Sequence, residues 1–270
     1  MERTNEMQFE SNGFWKRLKS MLHVDFRRMF TMPLFYIMAG VSLAIPILVI
    51  VMTTMMDGST STDPNTGAVT TIEGFKTVWQ TIAATSAESA QPSMDLTSMC
   101  NINMLYFLAA VLVCVFVADD FRSGYAKNLF TVRAKKADYV ISKSLVCFVG
   151  GASMLLAYFV GAMLGGAIMG LSFDAGVAGV KIVMCMAAKV FLMSVFVSIF
   201  LLLAVVGKQR LWISILGSFA ASMLLFTMIP MITPLDSGIM NVVLCLVGGT
   251  LFSVGLGAIS GLILRKTSLV

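Results

Sequence analysis

The chain has 270 residues, of which 58% are apolar or aromatic and only 12% are charged, where soluble domains carry about 25% charged residues. A mean hydropathy of +0.89 excludes a water-soluble fold of this length. The net charge of +5 is read first as a sidedness signal, because Lys and Arg are retained on the cytoplasmic side of each membrane crossing; no nucleic acid partner is expected from it.

The five cysteines, Cys100, Cys114, Cys147, Cys185 and Cys245, are scattered and form no CxxC pair, and His23 is the single histidine. Neither a disulfide framework, a zinc site nor histidine-based catalysis fits that set. There is no GxSxG and no GxxxxGK[ST], so no catalytic, cofactor-binding or metal-ligating residues are expected, and any ATP-driven work must come from another subunit.

The first 33 residues are not a simple tail. Phe14, Trp15, Leu18, Met21, Leu22, Phe26, Met29 and Phe30 recur at helical spacing, with Lys16, Arg17, Lys19, His23, Arg27 and Arg28 on the remaining faces. This predicts an amphipathic helix along the inner membrane surface, capped at Ser11 or Asn12, with Trp15 at headgroup depth. Its role is either a generic anchor or a docking element. Pro33 separates it from the first apolar run, which begins near Leu34 without a small-x-small cleavage site and is read as a retained span.

A spanning helix needs about 20 apolar residues. Six runs qualify: 34–56, 102–118, 144–170, 182–206, 211–232 and 239–264. Sixteen Lys and Arg lie in 1–33, 119–143, 207–210 and the tail, against Lys76 and Lys181 on the other side. That bias puts both termini in the cytoplasm, which an even number of crossings satisfies. The fold expected is all-α and polytopic, with residues 1–33 as the interfacial helix and 34–270 as a six-helix transmembrane domain. The lack of an N-x-[ST] sequon is compatible with a bacterial cell membrane.

The outer loop, 57–101, opens with a turn-rich stretch. Then Ile72, Phe75, Val78, Trp79 and Ile82 recur at helical spacing, predicting a short amphipathic helix that packs on neighbouring spans or the outer membrane face, or forms a lid. Lys189 is the one charge near a span interior. Burying it at mid-membrane would cost about 3 kcal/mol. Residues 190–206 alone give about 25 Å of helix, so Lys189 either snorkels to the outer headgroups or meets an anionic substrate group or an acidic loop residue such as Asp174. No Asp, Glu or His lies mid-run, which weighs against an ion-coupled carrier. Gly161-x-x-x-Gly165 and Gly257-x-x-x-Gly261 permit close helix approach, and the 22 methionines suit adaptable packing.

The cytoplasmic loop 119–143 is the informative segment. It reads Asp119-Asp120-Phe121-Arg122-Ser123-Gly124-Tyr125-Ala126-Lys127-Asn128, then Leu129 and Phe130, with Arg133, Lys135 and Lys136 leading to Asp138 and Tyr139. Phe121, Tyr125, Leu129 and Phe130 lie at helical spacing, and an aromatic face on a short helix implies a partner or the membrane surface. Here the chain resembles the type-2 permeases of ATP-binding-cassette exporters, through the preceding amphipathic helix, six spans with a long first outer loop, and this carboxylate-start turn. The AKKADYVISK stretch looks like family members from Gram-positive bacteria.

The resemblance implies a half-transporter: two copies pair, each engaging one ATPase subunit that binds the ATP and Mg. Asp119, Asp120, Phe121, Arg122, Gly124, Tyr125, Lys127 and Asn128 would form the coupling helix, and Phe14, Trp15, Leu18, Leu22 and Phe26 the interfacial one. The cargo it implies is an amphipathic peptide, antibiotic or lipid-like compound moved outward. Pro230 and Pro234, near the outer end of the fifth span, form a candidate kinked gate. The competing reading is a non-transporting sensor or immunity protein that binds a peptide through loop 57–101.

Overall fold

The computed structural model describes residues 2–62, 69–71, 74–84, 101–131, 136–207 and 210–266. Ile72, Glu73, Cys100, Arg133, Lys135 and Lys208 lie outside them. The architecture is helical: α1 Glu2–Thr31, α2 Pro33–Met55, α3 Leu105–Arg122, α4 Tyr125–Thr131, α5 Lys136–Met169, α6 Gly179–Gly207, α7 Leu211–Phe226, α8 Met228–Ile232 and α9 Ile239–Lys266. Five segments, those carrying α2, α3, α5, α6 and α9, are long and apolar enough to cross a membrane, whereas α7 is a shorter apolar helix of 16 residues.

Local chemistry sets the boundaries. Met32 alone links α1 to α2, in an extended conformation (φ −76°, ψ 120°), with Pro33 at the first helical position. Proline excludes the helical region for its predecessor and suits a helix start, so the chain must turn there. The helix before it continues back to Glu2, past Ser11 and Asn12; no glycine or proline before Gly13 interrupts it, and the expected cap is not used. At the other end of the bundle, α7 stops at Phe226, four residues before Pro230. The proline ring excludes the carbonyl four residues back and offers no N–H to bond it. The chain therefore breaks at Thr227, restarts as α8, and turns away at Thr233 and Pro234.

α3 is the most enclosed of the long helices and lies against α5, α6 and α7, while α2 runs along α5 and α9 along α6. α2 and α9 bury little of their surface, leaving residues such as Leu48, Met240, Leu251 and Val254 exposed. An apolar outer surface around a packed centre is what a bilayer solvent selects. Gly161 permits one close approach, since a Cβ there would stand 2.2 Å from the carbonyl oxygen of Leu43 on α2. By contrast, Gly261 on α9 has open space beside it, and a Cβ at Gly257 would meet only the Val140 side chain on α5 at an ordinary 3.6 Å, so the second small-residue motif makes no comparably close approach.

The outer segment departs from the helical reading. Thr60–Thr62 and Val69–Thr71 pair as a short antiparallel two-stranded sheet, consistent with the β-branched Thr and Val in both segments. In place of an amphipathic helix there is one 3-10 turn, Val78–Thr81. Its surroundings explain the change. Thr77 bridges to Ser172, the Val78 N–H donates to the Ser172 carbonyl at 3.3 Å, and the Trp79 Nε1–H donates to the Phe173 carbonyl at 2.9 Å. Val78, Trp79 and Ile82 are buried, so the segment is inserted against the end of α5.

Candidate functional site

Two polar clusters are buried at opposite ends of the bundle, each built around a lysine. The first joins α1, α3 and α5. Asp25 on α1, Asp120 on α3 and Lys143 on α5 are all fully buried. The Lys143 Nζ donates to Asp25 Oδ1 at 2.8 Å and to Asp120 Oδ2 at 2.7 Å, and lies 4.0 Å from the centre of the Phe116 ring. Its three N–H bonds thus have two carboxylates and one π face. Ser142 Oγ donates to Asp25 Oδ2 at 2.6 Å, and Tyr139 Oη to Asp120 Oδ2 at 2.8 Å.

Asp120 is also paired with Arg28, which reaches Asp119 at 3.2 Å and stacks over the Tyr125 ring at 4.2 Å. The order Asp25, Lys143, Asp120, Arg28 alternates in sign and sums to zero. That satisfies the requirement for charge inside a protein, where each ion costs several kcal/mol unless paired and hydrogen-bonded. Electrostatics around the clamp follow from its enclosure. Burial lowers the affinity of Arg28 for its proton, but Asp120, Tyr125 and Asp119 together raise it and the net direction is upward. Burial also lifts the Tyr125 phenol above its ordinary value, Asp25 and Asp120 add to the rise, and Arg28 opposes it. The phenol is therefore neutral at neutral pH. This arrangement is an electrostatic clamp in which each buried charged group has a partner of opposite sign.

α4 is drawn into the same construction. Asp119 and Asp120 do not terminate the preceding helix, as the sequence suggests, but lie in its last turn; α3 runs to Arg122, and Gly124 (φ +72°) makes the turn to α4. Phe121 is buried. Tyr125, Leu129 and Phe130 are half-buried, with Phe130 edge-on to Tyr139, the ring centroids 5.4 Å apart. Part of the aromatic face for which a partner or the membrane surface is expected packs on the protein itself. What the end of α3 and α4 turn outward is polar: Arg122, Ser123, Lys127 and Asn128 are exposed.

α1 is likewise docked by its apolar face. Leu18 and Met21 are buried with Asp25 and Met29, Phe14, Leu22 and Phe26 are half-buried, and Trp15 is exposed. Arg17 adds a second tie, 3.3 Å from Asp138.

The second cluster lies at the far end. Lys189 is fully buried, and its Nζ donates to Asn103 Oδ1 at 3.0 Å and Thr233 Oγ1 at 2.9 Å. It neither snorkels nor meets Asp174, which accepts from the Gly176 N–H instead. Two neutral acceptors supplied from the start of α3 and the end of α8 hold it inside. Thr233 passes its own hydroxyl proton to the Ile229 carbonyl at 2.8 Å, and Tyr106 Oη donates to the Lys189 carbonyl at 3.0 Å. A cation beside the carbonyl end of a helix is favourably placed, here against the broken α7–α8 pair. Pro230 lies within α8, and Pro234 is buried just beyond Thr233.

Sequence reasoning missed Asp25, Tyr139, Ser142, Lys143, Asn103 and Thr233 as site residues. One signal existed: Asp25 shares the helical phase of Leu18, Met21 and Met29, and Lys143 that of Tyr139, Cys147 and Gly150. A charge in step with an apolar face asks for a buried partner. Among the described residues no group of three His, Cys, Asp or Glu side chains gathers as metal ligands. No family model matches the chain, and neither a curated protein nor a solved structure matches it.

Proposed function

We propose that this chain is the membrane-spanning permease subunit of an ATP-driven exporter of the type-2 ATP-binding-cassette class, with two copies working against two separate ATPase subunits. The single observation carrying the reading is the clamp around Lys143, which ties α1, the last turn of α3 and the start of α5 together beside the polar turn α4. A force on α4 reaches α3, the central helix, through Asp119, Asp120 and the Tyr125–Arg28 contact rather than dissipating in a loose loop. The exposed Arg122, Lys127 and Asn128 are then the surface offered to the ATPase, and ATP and Mg belong to that partner.

In this reading α7 and α8 together make the remaining crossing of six, about 33 Å for 22 residues at helical rise, both termini are cytoplasmic, and the protein resides in a bacterial cell membrane. The α7–α8 break at Thr227, bounded by Pro230 and Pro234 and braced by Lys189, is the element suited to opening at the outer end. Exposed apolar and Met side chains suit an amphipathic peptide, antibiotic or lipid-like cargo.

The affinity-purified full-length protein should retain a stoichiometric ATP-hydrolysing subunit, and Arg122→Ala combined with Lys127→Ala should release it without unfolding the chain. Retention unaffected by that pair would move the contact away from α4. Solute flux through the purified chain in proteoliposomes, with no nucleotide present, would overturn the reading altogether.

A further inference from the structure

Between residues 13 and 31, the cations of α1 fall into two sets. Arg17 and Arg28 turn toward the bundle and are held by Asp138, Asp119 and Asp120. Lys16, Lys19, His23 and Arg27 are all exposed, and among the described residues no salt bridge includes them. They recur at intervals of three and four residues, which stacks them on one side of the helix. Between residues 13 and 31 the only acid is Asp25, and it is on the buried side.

A third side lies between these two. Trp15 is 67% and Phe30 44% exposed, with Phe26 half-buried between them. This aromatic flank runs into α2, because Phe30 meets Phe35 edge-on with centroids 5.3 Å apart, and the next outward residues, Tyr36 and Ile37, are exposed. The helix is about 10–12 Å across, so a basic side adjoining that flank lies within a side chain's reach of whatever covers the start of α2.

We propose that the Lys16, Lys19, His23 and Arg27 side of α1 binds the phosphate groups of anionic phospholipids, with the Trp15–Phe30 flank at the boundary between headgroups and acyl chains. Aromatic and basic residues side by side are the composition that an anionic bilayer surface selects. Continuity with the apolar surface of α2 favours lipid over an acidic protein. The inference rests on the membrane-spanning reading of α2 and not on the ATPase partner.

The test uses the full-length protein in nanodiscs of mixed phosphatidylcholine and phosphatidylglycerol, with bromine in the upper acyl chain of one lipid at a time. The Trp15 signal is the difference between the native protein and Trp15→Phe. Brominated phosphatidylglycerol should quench it more than the same fraction of brominated phosphatidylcholine. Each Lys or Arg near an anionic surface contributes roughly a fivefold preference, which added salt reduces. A Lys16→Gln, Lys19→Gln, Arg27→Gln variant should lose the excess and keep the quenching by phosphatidylcholine. Equal quenching by both lipids in the native protein overturns the proposal, as does an excess that survives in the variant. Absence of quenching by either lipid overturns it in favour of a protein surface, and failure of the chain to enter nanodiscs removes its membrane premise. None of these results depends on export or on ATP hydrolysis.

Discussion

Lys143 and Lys189 are both fully buried, yet they are accommodated by opposite means. Lys143 stands between two carboxylates and is part of an alternating chain of charges. Lys189 has only an amide oxygen and a hydroxyl. Ion pairs are strong but brittle, because removing one member strands its partners as uncompensated charge. Neutral acceptors that lose the lysine are left unsatisfied but strand no uncompensated charge. The α1 end is therefore built as a rigid clamp joining three helices. The far end, where α7 breaks and α8 turns away, is held by contacts that exchange at lower cost.

The largest effect should come from Lys143→Met, which leaves Asp25 and Asp120 facing each other without the cation between them. A loss of about 3–5 kcal/mol is expected, read as a steep fall in the thermal midpoint of the protein in detergent. Adding Asp25→Asn should recover part of it, since Asp120 keeps Arg28 and Tyr139. If the double variant were no better than the single, the carboxylates would not be acting as one network with the lysine. Lys189→Met is expected to cost less, about 1–2 kcal/mol, because it orphans chiefly the Asn103 oxygen, while Thr233 still donates to Ile229. A Lys189 variant as damaging as the Lys143 one would erase the distinction between the two ends.

This contrast also marks what could be read from the residues. Five of the six apolar runs are legible as long helices, because each is a local property: 34–56 corresponds to Pro33–Met55, 182–206 to Gly179–Gly207, and 239–264 to Ile239–Lys266, whereas 211–232 is divided between α7 and α8. The break at Pro230 follows from the ring's exclusion of the Phe226 carbonyl. The pairing of Asp25 with Lys143 is not legible, since 118 residues separate them and both look like ordinary charges beside a membrane. Tyr125 and Phe130 fail for the converse reason. Their helical spacing is real, but spacing identifies a face and does not say whether the same chain already covers it. Lys189 is misread because snorkelling and an anionic or acidic partner are the only alternatives the sequence reading weighs, without the neutral acceptors Asn103 and Thr233.

A smaller test asks whether α4 belongs to the clamp. Tyr125→Phe preserves the ring under Arg28 and should be nearly silent, whereas Tyr125→Leu should cost about 1 kcal/mol, with faster hydrogen exchange in both α1 and α4. Exchange rising in α4 alone would separate that turn from α1. The sign of the pH dependence follows from the raised phenol. A group whose folded value is raised contributes fully below its unfolded value and loses the contribution as pH rises through the folded one. The contact should thus be constant across neutral pH and change only in the alkaline range.

Arg17→Gln should have the smallest effect, and for a reason that sharpens the comparison of the two ends. Arg17 and Asp138 are 3.3 Å apart, but the arginine side chain is 43% exposed while the aspartate is almost wholly covered. Water already solvates the guanidinium, so the pair is screened and the loss should stay within about 1 kcal/mol. Asp138→Asn should fall in the same range, because the amide remains able to accept from Arg17. A loss as large as that of Lys143→Met would mean that the whole α1–α5 seam is one charge network rather than a buried clamp with a solvated outlier. Melting curves of Arg17→Gln, Lys143→Met and the double variant distinguish these cases, since independent sites add and members of one network do not.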